Sequence, residues 1–286
     1  MNYRVLITGN KGFVGTVTEK LFQENGVEVV GYDLMDGFDI RDRNQLEEVV
    51  ARTKPNRILH LAAVARFDEA DANPIRVHET NVLGTMNVVN VAHKYHIPLV
   101  FASTGSAYMP IKLKPPITEE FPVMGNSVYG CSKALSEIYV RQYNPHIVLR
   151  YAHLYGAEKR YHGLIGGFLS RIEHDLEPVL YGGKQSNDFT YIKDVAEANY
   201  LAITASWDKW NQAYNIGTGE ELTAEAAGKI ICKAANYKGK ITLKPQRTVD
   251  PDRFVFDCSK AERMLGFKAK YSFALGLEDM FKEPVL

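Results

Sequence analysis

Arg4-Val-Leu-Ile-Thr8 passes directly into Gly9-Asn-Lys-Gly12-Phe-Val-Gly15. The first five residues read as a short buried strand, and residues 14–24 read as a helix. A strand, a glycine turn and a helix N-terminus, in that order, make a cradle for a dinucleotide pyrophosphate, because the free backbone N–H groups and the helix dipole both favour an anion. Gly9 suits the tight turn, Gly12 the close approach of the phosphates, and Gly15 close packing of the helix. Phe13 and Val14 complete the cradle at the helix start. The plainer reading of this stretch is an ordinary strand-to-helix turn.

Working outward, Val27-Glu-Val-Val-Gly-Tyr-Asp33 is a second strand ending in an acid. A carboxylate at that offset accepts hydrogen bonds from both ribose hydroxyls of adenosine and repels a 2′-phosphate, so NAD is favoured over NADP. Asp39 and Ile40 then offer a carboxylate and an apolar wall for adenine. The rest of the N-terminal half alternates: a helix over 45–52, a strand over 57–63 ending in Leu61-Ala62-Ala63, a long helix over 77–95 and a strand over 98–103. This order implies a parallel sheet covered on both faces, with ligands at the carboxyl ends of its strands.

A second motif gives the dinucleotide a chemistry. Ser127 is a plausible N-cap, and residues 128–143 hold no proline and one glycine, so a helix is expected there. Tyr129 and Lys133, four apart, then share one helix face. A phenol with an ordinary pKa near ~10 becomes a usable base when a cation stands beside it. Tyr108 with Lys112 and Tyr155 with Lys159 repeat the spacing, but Pro110 and Gly156 spoil the helical setting. A surface pair is the alternative reading for an isolated Tyr and Lys.

Composition bounds the function classes. The chain has 286 residues, and 34 basic residues balance 34 acidic ones. A net charge of zero predicts no attraction to nucleic acid or membrane. No apolar run is long enough to span a bilayer, and the N-terminus runs straight into a strand without a signal peptide. Cys131, Cys232 and Cys258 are odd in number and lack metal-ligand spacing, which predicts no metal site and a reducing, cytoplasmic setting.

With these motifs in order, the chain resembles the extended short-chain dehydrogenases/reductases, in the group of NAD-dependent sugar-nucleotide epimerases and dehydratases similar to UDP-glucose 4-epimerase. The resemblance rests on Thr8-Gly-x-x-Gly-Phe-x-Gly15, Asp33, His60-Leu-Ala-Ala63, Asn81, Ser103-Thr104, Tyr129-x-x-x-Lys133, Arg150-Tyr151, Tyr155-Gly156, Asp188-Phe189, Asp194-Val195 and Asp257-x-Ser-Lys-Ala261, and runs through nearly the whole chain. It implies a Rossmann-type α/β fold, a doubly wound parallel sheet with a smaller C-terminal α/β substrate-binding lobe. The division is residues 1–155 for the NAD domain, with 189–210 returning to it, and 156–188 with 211–286 for the lobe.

The resemblance also implies roles. Tyr129 transfers the proton, Lys133 lowers its pKa and holds the nicotinamide ribose, Thr104 bonds the reacting oxygen, Asn81 supports the Lys, and Tyr151 joins the cofactor residues. For the substrate it implies His153, Gly163, Leu164, Tyr181, Asn187, Arg247 and Asp250. Two of these depart from the family pattern: Asn187 stands where an Arg often grips the diphosphate, and His153 where many epimerases carry Asn. The similar 4,6-dehydratases place an acidic pair directly after the Thr, whereas this chain has Gly105-Ser106. C4 epimerisation of a nucleotide sugar is therefore expected. The alternatives are a reductase or dehydrogenase of a keto-sugar nucleotide and a dinucleotide-binding regulator without chemistry. A homodimer through the helices of Asn81 and Tyr129 is expected by analogy.

Overall fold

A computed structural model describes residues 3–108, 115–125, 127–143, 145–157, 163–246 and 252–282. In chain order its strands are β1 (Arg4–Thr8), β2 (Glu28–Tyr32), β3 (Arg57–His60), β4 (Leu99–Thr104), β5 (His146–Tyr151), β6 (His153–Tyr155), β7 (Val179–Tyr181), β8 (Ser186–Asn187), β9 (Phe189–Tyr191), β10 (Gln212–Ile216), β11 (Leu222–Thr223) and β12 (Thr242–Lys244). The helices are α1 (Phe13–Glu24), α2 (Arg43–Thr53), α3 (Phe67–Ala72), α4 (Pro74–Val77), α5 (Gly84–Lys94), α6 (Val128–Arg141), α7 (Gly163–Glu173), α8 (Ile192–Thr204), α9 (Ala224–Ala234), α10 (Ser259–Leu265) and α11 (Phe273–Lys282), with a π-helical turn at His78–Leu83 between α4 and α5.

Six strands form one sheet in the order β2-β1-β3-β4-β5-β10, every neighbouring pair parallel. Successive residues of β1 alternate faces: Val5 and Ile7 enter the core with Leu59, Val100 and Ile147, whereas Leu6 joins Ile58, Leu99 and Phe101 on the other side. Both faces are buried, which is why the strands read as continuous apolar runs. From β1 the chain passes to β2 on one side and then to β3 on the other. The order reverses there, and the carboxyl ends of β1 and β3 open a crevice.

The expected helix over 77–95 begins earlier and contains an irregularity. The Asn73 side chain accepts from Arg76 N at 3.1 Å and Pro74 supplies a favourable first turn, so the helix starts at Pro74. At Asn81 the carbonyl accepts from Thr85 Oγ1 at 2.5 Å and Ser136 Oγ at 2.7 Å. Side-chain donors thus take an acceptor within the π turn, where the regular ladder is interrupted.

After β9 the chain returns to the sheet. Helix α8 packs on α1, with Asn199 Nδ2 donating to Thr18 Oγ1 at 3.0 Å. The division at residue 211 needs correction. Strand β10 pairs with β5 along its length and closes that edge of the large sheet, because Tyr214, Asn215 and Ile216 are completely buried there. Beyond it, β7 with β12 and β8 with β11 make separate two-stranded ladders.

One buried ion pair fastens α6 to the sheet. Arg150 and Glu137 are 0 % and 1 % exposed, and the fork is bidentate, with Nε to Oε1 at 3.0 Å and Nη2 to Oε2 at 2.7 Å. Arg150 Nη1 also donates to Tyr108 OH at 2.8 Å, and that hydroxyl donates to Asn215 Oδ1 at 2.6 Å, so β5, β10 and α6 share one network. Removing one partner strands a charge without solvent. Arg150→Met should therefore cost about 3–5 kcal/mol, and the double replacement Glu137→Leu with Arg150→Met should recover most of it. Urea denaturation midpoints of the two variants check this; a double variant no more stable than the single would contradict it.

Candidate active site

The end of β4 and one face of α6 bring the candidate catalytic residues together. Phe101, Ala102, Ser103 and Thr104 are consecutive on β4, while Tyr129, Lys133 and Glu137 are one turn apart on α6. Ser127 caps the helix, its Oγ accepting from Gly130 N at 3.0 Å. The Thr104 side chain stands beside the Tyr129 phenol and favours its ionised form. Lys133 Nζ donates to Ala102 O at 2.8 Å and stands 4.6 Å above the Phe101 ring. Ser103 Oγ donates to Glu137 at 2.5 Å. Each of four strand residues thus meets one of three helix residues.

Burial sets the charges here. Tyr129 as a residue is half-buried, yet desolvation pushes its pKa up to about 12, with Thr104 acting the other way. Lys133 is 3 % exposed, and desolvation brings its pKa down to about 7 against the pull of Glu137. The family resemblance has Lys133 lowering the phenol. In this structure the ammonium is committed to Ala102 O, and both groups are driven towards their neutral forms.

A buried polar spine joins this centre to the glycine turn. His60 is completely buried, with Nδ1 at 2.6 Å from Thr8 Oγ1 and Nε2 at 2.9 Å from Thr85 Oγ1. Because Thr85 Oγ1 donates to Asn81 O, it accepts from Nε2–H, and His60 Nδ1 accepts from Thr8. Burial, then the charge of Lys133, lowers the His60 pKa to about 3, consistent with that neutral tautomer. Asn81 brackets Val64 through both backbone groups, at 2.8 and 3.0 Å, and donates to Ser132 Oγ at 2.9 Å. It therefore supports α6 through Ser132, with Lys133 held separately.

The residues at the crevice fit a dinucleotide. Helix α1 has no side-chain cap and no acid in its first turn, which leaves its N-terminus suited to an anion. A Cβ on Gly15 would stand 2.6 Å from the Asn10 backbone, and one on Gly9 2.7 Å from Ala62 N. A Cβ on Gly12 would meet only Gly9 O, at 3.3 Å, so its outer side is open to a ligand. Phe13 and Val14 begin α1, half-buried. Leu61 N donates to Thr8 O and Ala62 N to Thr8 Oγ1, which brings Leu61, Ala62 and Ala63 beside the turn. Asp33 accepts from Lys11 N at 3.0 Å and Met35 N at 2.9 Å and keeps lone pairs for ribose hydroxyls.

Three other candidates are engaged elsewhere. The Asp39 carboxylate grips Arg41, which holds it below the usual carboxylate range. Asp39 lines an open trough of about 670 Å³ that none of Thr104, Tyr129 and Lys133 touches. Ile40 is buried against Gly84 of α5. Tyr151 donates to Asn199 Oδ1 at 2.6 Å, and burial raises its pKa.

On the substrate side, His153 is exposed, its ring 6.1 Å from Phe189 and 5.9 Å from Phe254. Asn187 is half-buried, its Oδ1 enclosed without a hydrogen-bond partner among the described residues. Gly163, at φ 63°, and Leu164 begin α7, and Tyr181 is exposed on β7. Arg247 and Asp250 lie outside the described residues. Glu137 and Phe254 are absent from the motif reading. The signal for Glu137 was a third residue in the four-residue spacing; Phe254 carried none, because only the fold brings its ring onto Gly105.

Residues 5–217 match the NAD dependent epimerase/dehydratase family. The chain belongs to that family. Along its length it is similar to a candidate UDP-glucose 4-epimerase of Methanocaldococcus jannaschii, 31 % identical with 96 % of each chain covered. The UDP-glucose 4-epimerase of Thermotoga maritima, solved with UDP-glucose, superposes with a TM-score of 0.89 at 28 % identity, over 98 % of this chain and 97 % of that one. That of Thermus thermophilus, solved with NAD, gives 0.84 at 29 %, over 98 % of each. No helix among the described residues of this family member is long and apolar enough to cross a membrane.

The cradle and the spine can be tested separately. Gly12→Ala should leave the melting temperature unchanged while weakening NAD binding at least about tenfold, some 1.4 kcal/mol; Gly15→Ala should destabilise the fold by about 1–3 kcal/mol. Calorimetry with and without NAD separates them, and equal NAD affinity for wild type and Gly12→Ala would count against the cradle. For His60, the folded pKa near 3 lies below the unfolded value of 6.5, so the unfolded chain binds more protons between them. Its contribution is complete above pH 6.5 and is lost as pH falls towards 3. His60→Gln should flatten the slope of stability against pH by up to about 1.4 kcal/mol per unit in that window. Urea titrations from about pH 4.5 to 7 test it, and an unaltered slope would refute the assignment.

Proposed function

We propose that this protein interconverts nucleotide sugars that differ at C4, through a transient 4-keto sugar, with UDP-glucose and UDP-galactose as the first pair to test. The comparisons support the sugar-nucleotide class and the NAD cofactor; one packing contact supports epimerisation over dehydration. A Cβ on Gly105, directly after Thr104, would stand 3.0 Å from Phe256 Cζ and 3.1 Å from Phe254 Cε2, with Phe254 Cζ closer still. Two rings occupy the space that an acidic side chain at this position would need. Elimination of water requires a group to protonate the leaving hydroxyl, and there is no room for one at residue 105.

The chain's own residues then divide the work. The glycine cradle and Asp33 hold NAD, which when bound supplies hydride acceptance and return at C4. Tyr129 takes the proton of the C4 hydroxyl and gives it back to the keto oxygen after the sugar has presented its other face. Thr104, beside the phenol, orients the reacting oxygen. Lys133 keeps a cation near Tyr129 to favour the phenolate. His153, exposed between Phe189 and Phe254, and Asn187, with its unpartnered carbonyl, line the sugar-nucleotide side. Asn187 brings no positive charge to a diphosphate, so that charge falls to Arg247.

The same reading extends to a homodimer paired through α5 and α6. Leu135, Ile138 and Tyr139 are spaced to share one face of α6 and remain 43 %, 54 % and 39 % exposed.

Tyr129→Phe keeps the ring and removes the proton carrier. Conversion of UDP-glucose to UDP-galactose, followed by NMR, should fall about 10²–10⁴-fold while NAD content stays the same. Wild-type turnover should leave no net reduced cofactor. Stoichiometric NADH release, a 4-keto-6-deoxy product, or full activity in the Phe variant would each overturn the reading.

A further inference from the structure

We propose that Glu137 is a positioning residue of this site: its carboxylate keeps Lys133 charged and locks the Thr104 end of β4 onto α6. The proposal rests on the reading of Tyr129 and Lys133 as the reactive pair, and carries the pattern one turn further along the same helix face.

The geometry carries it. Glu137 follows Lys133 by four residues on α6, and the two are 1 % and 3 % exposed. Among the described residues no carboxylate lies within ion-pair distance of Lys133; its direct contacts are Ala102 O and the Phe101 ring. A desolvated ammonium tends to lose its proton unless an anion stands near. Of the charged groups around it, His60 on β3 is neutral, Tyr129 is a protonated phenol, and Glu137 alone opposes the loss.

Glu137 itself is well secured. Burial alone would raise its carboxyl, but Arg150, Ser103 and Arg141 hold it below the usual range. Its Oε1 accepts from Ser103 Oγ and Arg150 Nε, and its Oε2 from Arg150 Nη2 and Arg141 Nη2. Ser103 precedes Thr104 and Arg150 precedes Tyr151, so one carboxylate registers β4 and β5 against the helix that bears Tyr129. Arg150 and Arg141 compete with Lys133 for this anion. Arg141 is the more dispensable, because its side chain is 45 % exposed.

The test reads Lys133 directly in the ligand-free protein. Lysine labelled with ¹³C at Cε is titrated by NMR, with Lys133→Arg assigning the resonance. Glu137→Gln should lower the Lys133 midpoint by about one unit, and Glu137→Asp should return it towards wild type. Should Glu137→Gln fail to fold, the double replacement Glu137→Leu with Arg150→Met should give a midpoint below that of Arg150→Met alone, since those two variants differ only at residue 137. Arg141→Gln, which frees the carboxylate from one competitor, should raise the midpoint. A midpoint equal to wild type in Glu137→Gln, or equal in the double variant and Arg150→Met, would overturn the proposal. The measurement uses neither NAD nor sugar, so it is separable from the epimerase reading. Absence of turnover on nucleotide sugars would sink that reading without altering the titration.

Discussion

The contact of β4 with α6 is the constraint on which the site depends. Four consecutive strand residues meet three helix residues spaced by four, and each contact differs in kind: a ring under an ammonium, a carbonyl accepting from it, a hydroxyl on a carboxylate, a hydroxyl on a phenol. Sliding either element by one residue would break all the contacts together. This is why the buried ion pair behind them matters to chemistry as well as to folding. Arg150 and Glu137 prevent the slide, and they do so through hydrogen bonds that leave little freedom in either side chain.

Packing decides more of the chemistry than the motif residues alone indicate. Gly15 is needed for space, because a side chain there would run into the Asn10 backbone, and Gly9 by its fit against Ala62. Gly105 is a glycine for a related reason with a different consequence. The rings of Phe254 and Phe256 come from a segment about 150 residues later and close over it, so the fold restricts which functional groups can accompany Thr104. In this chain a contact distant in sequence thus limits which side chains can stand beside Thr104.

The sheet was largely legible because parallel strands buried on both faces appear as apolar runs, and the glycine turn between β1 and α1 has a mechanical meaning at each position. The return of the chain through β9 and α8 was also readable. What escaped was structure produced by partners remote in sequence. Strand β10 carries Asn215 among apolar residues, and that amide makes sense only once Tyr108 and Ile117 are beside it. The π turn at His78–Leu83 follows no local propensity; hydroxyls of Thr85 and Ser136 occupy the Asn81 carbonyl there. Glu137 obeyed the spacing already used for Tyr129 and Lys133, but a glutamate on a helix reads as solvated until its burial is known.

Charge accounts for the order of these dependencies. Burial opposes ionisation of Tyr129, Lys133 and His60 alike, and the shifts of all three run towards the neutral form. Glu137 and Arg150 are buried as deeply but stay ionised, because each answers the other and both are surrounded by donors or acceptors. The site therefore contains one fixed ion pair and, beside it, Lys133, whose charge Glu137 favours. In the proposed reaction the phenol must change charge during turnover, whereas the anion that supports the site must not. Placing the changeable groups at the strand end and the unchangeable pair one turn deeper satisfies both requirements. It also explains why the sequence alone conveys the first and not the second: reactive residues are recognised by type and spacing, while their electrostatic support is defined by what surrounds it.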